Sequence, residues 1–290
     1  MKAEINLTPT CSFFEINDPQ GPITGRTWGT ASEAQAIVLL VHGLGAHSGW
    51  FEALGRRLKV RRLFAVSYDQ VGFGKRSSQT FKNYQQWLDD LSAVYNYLRN
   101  QYKDKPIFVM GNSMGGVVAM AGTPSLKPRA QGLVLFSPGF DGYPDTFKLG
   151  FRLKATATAI LSPNTLVDLP YGSNLVARDE GARAFMDADP DGRFSLPAKM
   201  LLELLKLTIY TNKQAKVSPC PMLMLTAGVD RIVNNEASTK IFDLVVAPSK
   251  KRRHFADAWH DLLFDPVIDE VADEVNNFVH TNLAESATTN

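Results

Sequence analysis

Gly111-Asn112-Ser113-Met114-Gly115-Gly116 is the segment of this 290-residue chain whose residue types point most directly to chemistry. The GxSxG pattern follows the apolar run Ile107 to Met110 (IFVM) and precedes VVAMA, which can start a helix. Strand, tight turn and helix in that order make a nucleophile elbow. The hydroxyl stands on a sharp bend at the sheet edge, and only glycine on both sides lets the backbone crowd so closely. A glycine-rich helix start with an incidental serine would explain the glycines and nothing further along the chain.

A serine hydroxyl is a weak nucleophile at neutral pH, so a base must take its proton and a carboxylate must hold that base in the right tautomer. In folds built on this elbow the acid and then the histidine follow the serine in the chain. That order leaves His254, His260 and His280 of the five histidines. His280 falls in a final helix, and His254 sits in the basic run KKRRHF that leads into the last strand. His260, in FADAWHDLLF, stands in a loop that can reach back over Ser113. The acid belongs at the carboxyl end of a strand, where sites of open α/β sheets lie. Asp230, in AGVDRIV after the run Pro221 to Thr226, fits that place; Asp141, in SPGFDG after the preceding strand, is the rival. Asp69, in YDQVGFG, precedes the serine and reads as the tie of a turn.

The transition-state oxyanion calls for preorganised backbone amides. Met114, directly after the serine, offers one, and Leu44 in His42-Gly43-Leu44-Gly45 offers the other; His42 reads as a stabiliser of that loop. Gly43 and Trp259 are expected in the substrate-binding set.

These residues need a scaffold. Short buried runs, Ala36 to Val41, Leu63 to Tyr68, Ile107 to Met110, Gly132 to Phe136 and Pro221 to Thr226, alternate with helical periodicity over Asn83 to Tyr102 and over a C-terminal stripe from Val267 to Leu283. That alternation predicts an α/β fold with a mostly parallel central sheet and helices on both faces. Beyond Leu283 a frayed tail is expected. Between residues 139 and 216 no run of buried-strand type occurs. This stretch reads as an inserted helical cap, with residues 1–138 and 217–290 forming the core. Within it, Leu196, Met200, Leu201, Leu204, Leu205 and Thr208 give a helix from about Pro197 to Tyr210 an apolar face.

The balance of 31 basic and 29 acidic side chains gives no case for nucleic acid as a partner. Arg56, Arg57, Lys59, Arg61 and Arg62, and Lys250 to Arg253, form basic clusters. These read as solvated faces, with attraction to an anionic membrane surface as the lesser reading. Cys11 and Cys220 carry no metal or disulfide spacing and read as free thiols. With no leader-like start and no spanning run, the expected address is cytoplasmic, with peripheral membrane contact allowed. No metal or organic cofactor is expected, and the sequence sets no oligomeric state.

Together, HGLGAHSGWF, YDQVGFGKRS, GNSMGG, AGVDRIV and AWH resemble the monoacylglycerol lipase and lysophospholipase branch of the α/β-hydrolase superfamily, over nearly the whole chain. In the insertion, ARDEGARAFMDADPDGRF resembles that branch's cap segment, which normally covers an acyl pocket. The resemblance implies a serine ester hydrolase acting on small acyl esters or lipids. Transfer of a thioester-derived acyl group by the same residues, or a catalytically silent binding module, are the alternatives. Ala46 stands where the branch usually has Glu, Trp50-Phe51 where it often has Arg-Tyr, and Asn112 where it has His. The first two changes remove polar groups that could read a glycerol head. Through this resemblance Trp50 and Phe51 join the expected substrate-binding set.

Overall fold

The computed structural model describes residues 11–214 and 217–288. The first ten residues, on which the expectation about a leader rests, and Lys216 at the expected cap boundary lie outside the described residues. In chain order the elements are β1 (Ser12–Ile16), β2 (Ile23–Trp28), β3 (Ala36–Val41), α1 (Glu52–Val60), β4 (Leu63–Tyr68), α2 (Gln85–Gln101), β5 (Ile107–Asn112), α3 (Met114–Gly122) and β6 (Gly132–Phe136). After β6 come α4 (Leu149–Leu161), β7 (Leu166–Asp168), α5 (Ser173–Val176), α6 (Glu180–Ala188), β8 (Ser195–Pro197) and α7 (Ala198–Gln214). The chain closes with β9 (Met222–Ala227), α8 (Asn235–Leu244), β10 (Lys250–Phe255) and α9 (Ile268–Thr288).

Eight strands form one sheet in the order β1-β2-β4-β3-β5-β6-β9-β10, parallel from β4 to β10 and antiparallel at the β1 and β2 end. The parallel strands are apolar on both faces because helices cover both. Along β3, Ile37, Leu39 and Val41 join Trp87, Leu91 and Val117 in one core, while Ala36, Val38 and Leu40 join Leu54, Leu58 and Val275 in the other. The five expected strands are present, with β5 running on to Asn112 and β9 beginning at Met222.

Three further features depart from expectation. The basic run 250–255 does not lead into the last strand but is itself that edge strand, and its outward cations blunt an exposed edge. The final helix continues past Leu283 to Thr288. Between β6 and β9 the helices are joined by a small antiparallel pair, β7 with β8, too short and too exposed to show as an apolar run. The basic clusters are largely tied to the acidic first half of α9. Arg57 forms a two-pronged contact with Asp269 (2.7 and 3.0 Å), Arg61 reaches Asp273 (2.7 Å) and Lys251 reaches Glu274 (2.7 Å).

One buried charge network positions the loops at the carboxyl end of the sheet. Asp69 accepts hydrogen bonds from the amides of Ser48 (2.8 Å) and Lys75 (2.9 Å), which closes the turn after β4 onto the segment after β3. Arg76, 1% exposed, donates to Asp90 of α2 (2.7 Å) and to the Asp69 carbonyl (2.9 Å). Asp90 also accepts from the Val71 amide (2.8 Å). Removing one partner of such a pair strands the other in a dry interior. Arg76→Ala should therefore cost about 3–5 kcal/mol of unfolding free energy. Lys75→Ala, which breaks only the surface pair with Asp191, should cost less than about 1 kcal/mol. Urea denaturation of the two variants checks the contrast.

Candidate active site

Ser113 sits between β5 and α3 with φ 52° and ψ −116°, a conformation that residues with a Cβ adopt only under constraint. Its amide donates to the Phe136 carbonyl (2.9 Å), and its carbonyl accepts from the amides of Gly116 (2.9 Å) and Gly139 (3.0 Å). The flanking glycines are sterically required. A Cβ on Gly111 would overlap the Gly115 carbonyl, and one on Gly115 would overlap the carbonyls of Val41 and His42. The elbow thus packs directly against the end of β3 and the loop that follows it.

That loop is fixed from the other side by the turn after β4. The Gln70 amide donates to His42 Nε2 (3.0 Å), and His42 Nδ1 lies 2.8 Å from the Gly43 carbonyl. This arrangement needs a neutral ring with its proton on Nδ1, and burial holds the His42 pKa down at about 4. His42 is therefore a loop stay. Gly43 lies close under the serine, where a Cβ would be 3.3 Å from Ser113 Cβ. Leu44 follows it into the same cleft as Ser113 and Met114. Met114 is the first residue of α3, where the amide has no carbonyl within the helix to serve.

The loops after β9 and β10 touch through Gly228, where a Cβ would overlap the Ala256 carbonyl. They bring Asp230 Oδ2 to 2.7 Å from His260 Nδ1, and His260 Nε2 to 3.0 Å from Ser113 Oγ. Asp230 Oδ1 accepts from the amides of Ile232 and Val233, each at 2.8 Å, so the carboxylate is held at both oxygens. Burial by itself would push the His260 pKa down. The charge and hydrogen bond of Asp230, helped by Asp261, outweigh burial and raise it. The other candidates lie elsewhere. Asp141 is partly exposed and pairs with Arg152 (3.2 Å), His254 on β10 is 3.0 Å from Thr226 Oγ1 on β9, and His280 is 2.9 Å from Gln35 Nε2.

Beside Ser113 opens a cleft of about 180 Å³, continuous with solvent and mostly apolar, lined by Phe147, Phe151, Tyr171, Leu201, Leu204 and Ile232 among others. The α7 side of it was legible as a helical stripe. The α4 side, with Phe151 and Ala155, was not singled out, although FKLGFRLKATATAIL carries a helical spacing that could have shown it. Three expected substrate contacts need correction. Phe51 is fully buried in the core beneath α1, because it is the last residue of the short turn 48–51 that feeds that helix. Trp50 is buried against Phe264, and its indole donates to Asp189 Oδ2 (2.8 Å). Trp259 is turned toward Arg183, whose guanidinium lies 5.3 Å from the ring centre. None of the three lines the cleft.

His47, Asp189 and Asp191 bring three possible metal-ligand atoms within 4.8 Å of one another. Their donors and acceptors already serve each other. Asp189 accepts from Trp50 and lies 2.7 Å from His47 Nε2, and Asp191 pairs with Lys75 (2.7 Å). Burial would raise the Asp189 pKa, but these hydrogen bonds and the His47 charge hold it well below the usual carboxylate range. The set fastens residues 189–191 to the turn after the loop bearing Leu44.

Residues 32–267 match the Hydrolase_4 family model, described as serine aminopeptidase, S33. The chain is 25% identical to a monoglyceride lipase of Homo sapiens over 271 residues, covering 91% of this chain and 88% of the relative. It is also 25% identical over 255 residues to phospholipase YtpA of Bacillus subtilis, covering 84% and 95%. Among solved structures, a variant of the Saccharomyces cerevisiae monoglyceride lipase bound to a substrate analog superposes with a TM-score of 0.84 at 19% identity, covering 95% of this chain and 96% of that one. An elbow, a parallel sheet of this order and a family match over most of its length together make this chain a member of the Hydrolase_4 family, an α/β-hydrolase of the monoacylglycerol lipase-like branch.

Proposed function

We propose that this protein is a serine carboxylic ester hydrolase of acyl lipids, with monoacylglycerols and lysophospholipids as the substrate class. The observation that carries the reading is the unbroken chain Asp230–His260–Ser113, at 2.7 and 3.0 Å, opening into an apolar cleft. Ser113 Oγ attacks the ester carbonyl as His260 Nε2 takes its proton. Asp230 keeps the His260 Nδ1 proton in place and stabilises the imidazolium, and the amides of Leu44 and Met114 receive the oxyanion. The alcohol departs with the proton from His260. Water, deprotonated by the same nitrogen, then releases the acid and restores the serine. None of these steps calls on a metal or an organic cofactor.

Residues 139–216 act as a cap whose α4 and α7 wall the acyl cleft. The family description names a peptidase, but an aminopeptidase must seat an ammonium group. The one acid among the described cleft-lining residues, Asp141, is engaged with Arg152. That favours an apolar acyl chain over a charged amine. Ala46 is buried among Val176, Met186 and Ile232, and Trp50 is spent on Asp189, so few polar groups remain to read a head group. Among the described residues no helix is long and apolar enough to cross a membrane. Leu149, Leu153 and Ile160 instead lie exposed on one side of α4 beside the cleft, a surface suited to peripheral contact with lipid.

A fluorophosphonate probe should label the protein at Ser113, and Ser113→Ala should lose both labelling and hydrolysis while its unfolding transition stays in place; labelling of another serine overturns the assignment. Asp230→Asn should cost on the order of 10⁴ in kcat through the wrong imidazole tautomer, whereas Asp141→Asn should cost little. A reversed order in the same kinetic assay would move the acid to the loop after β6. Each methylene buried in the cleft contributes about 0.8 kcal/mol, so kcat/KM should climb from acetate to medium and long acyl esters until the cleft is full. A maximum at acetate, or strict dependence on a glycerol moiety, contradicts the substrate class.

A further inference from the structure

A second carboxylate lies beside His260 for which the hydrolytic steps have no use. Asp261 is 2% exposed; its Oδ1 accepts from the Leu263 amide (3.1 Å) and its Oδ2 from Asn112 Nδ2 (3.3 Å). No ion pair reaches it among the described residues. Asn112 immediately precedes the nucleophile and Asp261 immediately follows the histidine. Their contact therefore runs alongside that of Ser113 with His260, one residue before the serine and one after the histidine, and braces the two loops at the reacting atoms.

The pair is incompletely satisfied. Asn112 Oδ1 is buried without a hydrogen-bond partner. An ionised carboxylate has only acceptors and cannot serve it, whereas a protonated carboxyl and an amide can exchange two hydrogen bonds. A buried carboxylate with no cation and a stranded amide oxygen next to it both favour uptake of a proton. Burial accordingly holds the Asp261 pKa at about 6, against the opposing effects of the His260 charge and the Leu263 and Asn112 hydrogen bonds. The titratable groups facing His260 are Asp230, from the loop after β9, and Asp261 itself. Those facing Asp261 are His260 and Asp230, and Asp230 in turn faces the Tyr171 phenol, which burial keeps protonated.

We propose that Asp261, braced by Asn112, is a positioning residue whose charge decides when His260 becomes the free base that Ser113 needs. The proposal rests on the reading of His260 as that base. Ionised Asp261 favours the imidazolium, and protonated Asp261 releases it. Protons on the two groups therefore oppose one another, and the acid limb of the pH–rate profile belongs to the pair.

The test is kcat/KM against pH for a medium-chain ester, with fluorophosphonate labelling of the same preparations. Wild type should show an acid limb spread more broadly than a single proton allows. Asp261→Asn should move the limb to lower pH by on the order of one unit and sharpen it to one proton, because a negative neighbour of the imidazole is gone. Asn112→Ala, which keeps the carboxyl but removes a donor to its ionised form, should also move the limb down and serves if Asp261→Asn does not fold. A single-proton limb in wild type, or an unmoved limb with a lowered plateau in a folded variant, overturns the proposal. Absence of labelling at Ser113 in wild type would instead overturn the triad on which it rests.

Discussion

At Ser113 the backbone holds φ 52° and ψ −116°, a conformation that costs a residue with a Cβ about 1–3 kcal/mol. The surrounding structure is arranged so that this cost is met by packing. Neighbouring strands supply the Phe136 carbonyl to its amide, and the turns of Gly116 and Gly139 cap its carbonyl. Gly111 and Gly115 leave the space through which α3 drops onto the ends of β3 and β5. Because Gly115 lies under the carbonyls of Val41 and His42, the bend that exposes the hydroxyl also sets the height of the loop bearing Leu44. Ser113 and the loop bearing Leu44 are thus placed by one steric event.

Loops carry the remaining groups, and loops stay rigid here through buried polar ties. His42 is held neutral between Gln70 and Gly43, Asp69 joins two turns, Arg76 locks them to α2, and Asp189 gathers His47 and Trp50. His42, Asp69 and Arg76 are buried with hydrogen-bond partners supplied, the condition under which a polar network stiffens a structure. The surface charges have a different task. Arg57, Arg61 and Lys251 meet the acids of α9 in solvent, where they align a helix whose apolar stripe supplies the packing energy.

The cleft reflects an unequal division of labour. Its floor, Ser113, Leu44 and Met114, comes from the elbow, the start of α3 and the loop after β3, while its walls come from α4 (Phe151), α7 (Leu201 and Leu204) and the segment just ahead of α4 (Phe147). The walls are apolar and partly exposed, so they present a continuous carbon surface beside Ser113. Tyr171 stands where floor and wall meet, facing the Asp230 carboxylate with a phenol that burial keeps uncharged.

What could be read directly from the chain was local. Runs such as AIVLLV and LFAVSY announce strands covered on both faces because every residue is apolar, and GNSMGG announces the elbow because its glycines answer a steric demand within six residues. Chain order then reduced the histidines to three, and composition set nucleic acid aside. The rest was decided by contacts between distant positions. Asp230 rather than Asp141 reaches His260 because the loops after β9 and β10 lie side by side in a parallel sheet. Trp50, which the family resemblance placed at the mouth, is drawn inward by a hydrogen bond to Asp189, 139 residues away. Asn112 and Asp261, 149 residues apart, carried no periodic or motif signal for their pairing. A hydrogen bond between two loops depends on where the chain returns in space, and periodicity along a strand or helix holds no information about that return.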